Sequence, residues 1–442
     1  MLAASSLLGL ATHLWAAGRP HYGGTLHVSV RESPESLDPA SAATANISRM
    51  VFETLVGLDE RGRPRPALAS SWRSEPGNQR WRFFLRGGVS FHDGAPLDAG
   101  TVVASLRNSG REWKVVAAGD TVIVEAQAPD PYLPAELALA RHSIVRRSNG
   151  TLAGTGPFAI VQWVPGKHAS LAANDEYWGG RPFLDAIEVD FGRNERDQLM
   201  ALDLGRSDIA ELAPETIRRA RNDGRMVLAS EPEELLALVF AGESRSEDET
   251  DARNALAAAV DTEAISNVVL QGGGEAAASL LPNWLSGYGF TFSGGKPQRS
   301  APNQAQVRAA SNWTLSYDAS DAIARVIAER ILLNARDAGL TLQLSASTAG
   351  SIQLVRVPLS SAEPHVALIE IARALQLASP SFGGSSVADL YATEKALLQS
   401  RRALPLLHLR RAVAVRPGVR DWRVMPDGSW QLAGVWLSAG KP

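Results

Sequence analysis

The sequence predicts an α/β protein, and three observations carry that expectation. The chain has 442 residues, enough for two or three domains at roughly 100–200 residues each. Trp313–Tyr317, Asp321–Gly339 and Leu340–Leu344 read as strand, long amphipathic helix and strand. That is a βαβ unit, which favours a parallel sheet and a right-handed crossover. Residues 66–104 read as one compact unit of short strands and tight turns leading into a helix.

Taken in order, Thr25–Arg31 alternates apolar and polar residues with the period of a half-buried strand. Glu32–Pro39 is a loop, and Ala42–Leu55 places Ile47, Met50, Val51 and Leu55 on one helical face. In the compact unit Pro66–Trp72 is expected as a short helical turn, Trp81–Leu85 as a strand, Arg86-Gly87-Gly88 as a turn and Val89–Phe91 as a second strand. Asp93-Gly94 turns the chain again, and Asp98 offers its side-chain oxygen to cap the next helix. Asp120–Ala126 reads as a strand, Tyr132–Ala140 as a short helix, and Gly154–Trp163, Lys167–Ala172 and Ala186–Phe191 as successive strands. Arg196–Leu204 is helical, Asp208-Ile209-Ala210 a short strand and Arg225–Glu243 a strand pair. Asp251 and Asp261 are placed to cap two Ala-rich helices, and residues 286–309 form a long irregular loop. Glu363–Leu377 and Val387–Arg401 are helical, and Leu404–Val415 is a strand that returns to the apolar core.

Composition removes several function classes. With 45% apolar and 21% charged residues the chain is ordinary for a globular protein. A net charge of -3 supplies no basic field for nucleic acid. The absence of Cys excludes disulfides, thiolate metal sites, a Cys nucleophile and a lipid-anchoring cysteine. The apolar run Leu2–Trp15 is short for a span of ~20 residues, and Ala16-Ala17-Gly18 follows it with the small residues of a cleavage site. A signal peptide over 1–18 is expected, although no Lys or Arg precedes the run; a buried N-terminal helix is the alternative.

Motif by motif, little suggests catalysis. His92-Asp93-Gly94 between short strands reads as a turn. Gly154-Thr155-Gly156-Pro157 lacks the Lys and following helix of a phosphate loop. The eight His residues show no metal-ligand spacing, and no nucleophile elbow occurs in strand–turn–helix context. No metal or cofactor is expected.

A set of fragments in one order carries a resemblance. They include Gly23-Gly24-Thr25-Leu26, Ser36-Leu37-Asp38-Pro39, Phe52-Glu53-Thr54-Leu55-Val56, Pro66-Ala67-Leu68-Ala69 with Trp72, and Phe91-His92-Asp93-Gly94. Gly154–Phe158, Tyr177-Trp178, Gly205–Ile209, Asp251–Leu256 with Ala259-Val260-Asp261, and Leu404-Pro405-Leu406 follow. Over roughly residues 23–415 the chain resembles family 5 of the extracellular solute-binding proteins, which serve peptide and nickel ABC importers. The resemblance implies a two-lobed periplasmic-binding-protein clamp of type II with an additional small domain in the first lobe. It implies a first lobe of residues 24–235 plus 404–442, and a second lobe of 236–403 that is shortened after Val357.

The same resemblance implies where ligand would be met. Glu35, Ser36 and Leu37 lie in the first loop, which lines the cleft in relatives. Arg141 and His142 fall in the connection before the Gly-Thr-Gly-Pro turn, where a guanidinium could hold a carboxylate in bidentate fashion; a solvated pair at a helix C-terminus is the other reading. Tyr317 and Asp318 end a second-lobe strand, the end that flanks the crevice of an open α/β sheet. Trp284 and Tyr288 bracket a loop and could either stack on ligand or pack in the core. The implied function is capture of a short peptide or similar small polar solute by hinge closure, without covalent chemistry. The implied partner is an ABC membrane permease, for a soluble, monomeric protein in the periplasm or outside the cytoplasm. The alternatives are a sensor or protein-interaction module on the same fold, and a secreted hydrolase.

Overall fold

The computed structural model describes residues 19–39, 45–59, 61–107, 110–148, 150–292, 312–347, 350–425 and 429–438. The expected signal segment 1–18 and most of the loop 286–309 lie outside the described residues.

One large mixed sheet runs through the molecule. Its strand order is Phe158–Val164, His168–Ala173, Ala186–Asp190, Thr25–Ser29, Ile209–Leu212, Ala403–Val415, Met226–Phe240, Ile352–Pro358, Trp313–Ser316 and Leu342–Ser345. Gly274–Ala276 adds to Ala403–Val415. At one end Thr25–Ser29 pairs parallel with Ala186–Asp190 and Ile209–Leu212. At the other, Trp313–Ser316 pairs parallel with Leu342–Ser345 across the helix Ala322–Asp337, the βαβ unit expected from the sequence.

The two long central strands join these ends. Met226–Phe240 is one strand of 15 residues where a strand pair was expected. It pairs antiparallel with the 13-residue Ala403–Val415, and their register shifts between Ala229 and Glu234, around Pro232. Proline offers no N–H to the ladder, so pairing breaks there while the chain continues. The break divides the cores. Val413 and Val415 pack with Leu26, Val28, Met50, Phe52 and Phe158. Leu404, Leu406, Leu407 and Leu409 pack instead with Leu236, Leu256, Leu315 and Ile331. Residues 404–409 thus share the second core, and Val413 and Val415 the first.

A second sheet, Ala69–Ser74, Arg80–Leu85, Thr121–Glu125 and Lys114–Ala118, forms the added small domain with the helix Ala99–Arg107. Its core contains Leu55, Leu68, Phe83, Phe91, Val102 and Leu133. The helical turn expected at Pro66–Trp72 is a strand, because Ala69–Ser74 finds a full partner in Arg80–Leu85. Val89–Phe91 shortens to a single bridge, Ser90 to Pro96. Asp98 accepts from the Thr101 amide at 2.7 Å, the cap the sequence suggested. The cap expected at Asp251 lies at Ser246 instead, whose hydroxyl accepts from the Glu249 amide. Behind the second half of the sheet, helices Pro364–Ala374 and Val387–Gln399 enclose a further core with Leu280, Leu281 and Tyr288.

Candidate functional site

The first-lobe helix Ala45–Val51 ends against a cavity of about 610 Å³. Residues far apart in sequence line it. Arg49, Met50, Glu53, Thr54, Gly57, Leu58, Asp59 and Arg65 come from one stretch, and Asp421, Arg423, Met425 and Ser429–Gly434 from another. Ala138, Ala140, Ser143, Tyr177 and Ala362 also line it. The wall therefore mixes three arginines with three carboxylates.

Glu53 anchors this wall. Thr155 and the Trp178 indole N–H each donate to its Oε2 at 2.8 Å, and the Tyr177 hydroxyl donates to its Oε1 at 2.9 Å. Burial raises the Glu53 carboxyl above its ordinary range, opposed by these three hydrogen bonds and by Arg86. The Arg86 guanidinium sits 4.2 Å above the Trp178 ring. The backbone closes the same knot: Ile144 N–H donates to Glu53 O at 2.7 Å, Gly156 N–H to Val51 O at 2.9 Å, and His92 N–H to Gly154 O at 2.9 Å. Glycine is required at 154, since a Cβ built there would lie 1.9 Å from Val51 O. The fragments Phe52-Glu53-Thr54, His92-Asp93-Gly94, Gly154–Phe158 and Tyr177-Trp178 thus converge on one hydrogen-bonded knot. The turn readings given to His92-Asp93-Gly94 and Gly154–Pro157 fit that placement.

Beside the cavity lies a charged network that links the turn Ala140–His142 to the helix Pro364–Ala374. Arg141, in the short helical turn Ala140–His142, grips Glu370 of the second-lobe helix Pro364–Ala374. Its Nη1 is 2.5 Å from Oε2 and its Nη2 2.9 Å from Oε1. Arg141 Nη2 also reaches Glu136 at 3.4 Å, and Arg111 pairs with Glu136. Burial works against charge on Glu136, but the His142 imidazole 3.6 Å away and the guanidiniums of Arg111 and Arg141 outweigh it and hold the carboxyl low. Burial also pushes the His142 imidazole below its ordinary value, opposed by Glu136. Tyr132 stacks on His365 with ring centroids 4.1 Å apart, and Ala135 and Leu139 pack on Val366. The lobes therefore touch along this seam.

The expected ligand residues do not gather in one place. Glu35 and Ser36 are exposed on the first loop, where Ser36 Oγ accepts from the Asp38 amide, and Leu37 is buried in the first core. Arg141 and His142 belong to the network just described. Trp284 is half-buried and donates to Pro232 O at 2.7 Å. Tyr288 is buried and donates to Glu394 at 2.7 Å. Tyr317 packs on the second core, and Asp318 accepts from the Ser320 amide and hydroxyl. None of the nine lines the cavity. Sequence reasoning missed Arg49, Asp59, Arg65 and the segment Asp421–Gly434, and quoted Glu53 only as part of a fragment.

Among the described residues no group of His, Cys, Asp and Glu is arranged to hold a metal ion, and no helix is long and apolar enough to cross a membrane.

Comparison with known proteins agrees with this architecture. A profile of the bacterial extracellular solute-binding proteins, family 5 (middle region), matches residues 63–351. The uncharacterized protein YhjP of Bacillus subtilis is 33% identical over 178 residues, covering 36% of this chain and 31% of that protein. The oligopeptide-binding protein AppA of Bacillus subtilis is 25% identical over 297 residues, covering 59% and 54%. The chain's matches thus span about a third to a half of the length of these two curated relatives. A dipeptide-binding protein from Pseudoalteromonas sp. SM9913, solved with Met-Leu, superposes with a TM-score of 0.78 at 16% identity, covering 94% of this chain and all of that one. The Staphylococcus aureus NikA structure with Ni(L-His)2 gives 0.75 at 17% identity, with 94% and 100% coverage. Both share the two-lobed fold. With a family profile matched over most of its length and the clamp architecture on its structure, the chain belongs to the bacterial extracellular solute-binding proteins, family 5.

Proposed function

We propose that this protein is the substrate-binding component of an ABC importer, working outside the cytoplasm as a soluble monomer. It captures a short peptide or similar small polar solute and presents it to a membrane permease. The observation that carries this reading is the 610 Å³ cavity lined by both arginines and carboxylates. Its volume falls in the range of roughly 300–1,000 Å³ usual for small-molecule sites. A lining that holds Arg49, Arg65 and Arg423 together with Glu53, Asp59 and Asp421 suits a zwitterion better than a sugar or an apolar molecule. The names of AppA and of the dipeptide-binding relative point to the same solute class. No covalent step is needed.

The two central strands provide the hinge in this reading. We place the crossings at Ser230–Glu233 and Arg410–Arg411, which assigns the chain before them and after Ala412 to the first lobe. Capture is then a population shift toward the closed form, driven by the solute's higher affinity for that form.

Thermal unfolding of ligand-stripped protein with di- to pentapeptides, nickel with small chelators and oligosaccharides tests the proposal. A ligand at 100 times its dissociation constant stabilises by ~2.7 kcal/mol, read as a higher melting temperature for one class. In Ala433→Phe, which fills the cavity from the half-buried C-terminal segment, that shift is lost while unfolding stays cooperative. A flat response across the whole panel overturns the import reading in favour of a module that binds no solute.

A further inference from the structure

Arg141 is the guanidinium best placed to clamp a carboxylate between the lobes, and it is already occupied. Glu370 fills its fork from the opposite lobe through two contacts, 2.5 and 2.9 Å long. Both side chains are withdrawn from water, 18% exposed for Arg141 and 7% for Glu370. Arg373 also holds Glu370 Oε2, at 2.5 Å, and Arg111 stands 4.0 Å from its Oε1. A planar guanidinium presents a two-pronged face that one carboxylate fills. A second carboxylate from solution meets an arginine whose charge is balanced and whose two-pronged Nη face is already filled.

The position of this pair gives it a consequence. The cavity reaches Ala140 and Ser143, which flank Arg141 and His142. A solute in the cavity therefore lies beside the turn that carries Arg141, a guanidinium that the protein has capped itself. The seam around the pair is complete on both sides, with Tyr132 on His365 and with Leu139 on Val366.

We propose that Glu370 is a specificity-determining residue: it occupies the Arg141 fork from across the cleft, so the lobes close without a solute carboxylate, and the cavity selects solutes that do not depend on that arginine. The specificity half rests on the solute-binding reading, whereas the latch half stands without it. Removing the charge at 370 frees the fork, loosens closure and opens the site to a carboxylate.

Small-angle scattering on the ligand-free full chain reads the latch directly. Glu370→Gln keeps the side-chain volume, and Arg141→Lys keeps the charge but loses the fork. Each variant shifts to a larger radius of gyration than the parent. Calorimetry with Ala-Ala and its C-terminal amide then reads specificity. The parent binds the two alike, and Glu370→Gln binds the free acid at least tenfold more tightly than the amide. An identical radius of gyration in all three proteins overturns the latch. A tenfold preference for the free acid already in the parent, abolished by Arg141→Lys, overturns the specificity role. Binding of neither dipeptide to any protein, with the scattering shift intact, removes the short-peptide reading and leaves the latch supported.

Discussion

Glu53 in one half of the molecule and Glu394 in the other each accept three hydrogen bonds, and the two are held differently. Glu53 in the first lobe is met by three side chains, Thr155, Tyr177 and Trp178, with Arg86 nearby. Glu394 in the second lobe is 0% exposed and is met by the backbone amides of Leu280 and Leu281 and the Tyr288 hydroxyl. Burial lifts both carboxyls, but Glu394 has no cation against that lift, and it is pushed up to about 7. The first arrangement faces a cavity and shapes its wall. The second is inside a core and ties the Leu280–Leu281 turn to the helix Val387–Gln399. A buried acid is therefore not by itself the mark of a site; what opens beside it is.

The largest effect that sharpens this contrast comes from Glu53→Ala. Three donors lose their acceptor at once, and each unsatisfied buried group costs about 1–3 kcal/mol. A loss of about 3–5 kcal/mol in urea unfolding is expected, with weaker solute binding because the cavity wall collapses. A loss under about 1 kcal/mol would mean that the knot does not organise the first lobe.

Glu394 gives the next effect, as a dependence on pH. Its carboxyl is raised from 4.5 to about 7 on folding, so the folded state binds the proton more tightly. The contribution to stability is whole below pH 4.5 and is lost as the pH rises through about 7, a fall of about 3 kcal/mol. Glu394→Gln flattens that part of the pH profile, measured as the urea midpoint at pH 5 and pH 8. An unchanged slope in the variant would assign the titration to another group.

The difference between the two glutamates also explains what the sequence disclosed. Glu53's partners are side chains within recognisable fragments, Gly154–Phe158 and Tyr177-Trp178, so the knot was half visible before any fold was known. Glu394's main partners are amides, which every residue carries, and nothing in the sequence marks which two will converge. The same logic holds for the elements. The caps Asp98 and Asp261 were legible because the residue that caps is the residue that signals. At Ser246 the signal was also present, a Ser three residues before Glu249, but Asp251 offered a competing one further along. Pro66–Trp72 looked helical locally, and pairing with Arg80–Leu85 overrode that preference. The cavity was not legible. Its lining combines Arg49, Glu53 and Arg65 with Ala140, Ser143, Arg423 and Trp430, and only the tertiary fold juxtaposes them. Arg141 was found, but its partner Glu370, 229 positions away, was not.

A smaller effect separates contact between the lobes from stability within them. Gly62 has φ +74, and a Cβ built there would lie 1.9 Å from Ala362 O in the second lobe. Gly77 has φ +90 with nothing within 4 Å of a built Cβ. Gly77→Ala therefore costs only the left-handed strain of about 1–2 kcal/mol. Gly62→Ala carries the same strain and also pushes the hairpin tip off the second lobe. Scattering should show a larger radius of gyration for Gly62→Ala than for Gly77→Ala at similar melting temperatures. Equal radii would mean that this hairpin does not bear on closure.

The smallest expected effect tests the aromatic part of the seam. Tyr132 stacks on His365 with an interplanar angle of 15°, and Phe382 meets both rings edge-on, at 5.9 Å from Tyr132 and 4.9 Å from His365. Such pairs contribute about 0.5–1.5 kcal/mol beyond their buried area. Tyr132 belongs to the first-lobe side and the other two to the second, so the stack is made only when the lobes are together. Tyr132→Ala should shift the ligand-free population toward the open form by about 1 kcal/mol, roughly fivefold, with little change in the unfolding of either lobe. Tyr132→Phe keeps the ring and should leave the population unchanged. If Phe behaves like Ala, the hydroxyl and not the stack holds the seam. The closure contact would then be polar throughout, continuous with Arg141 and Glu370.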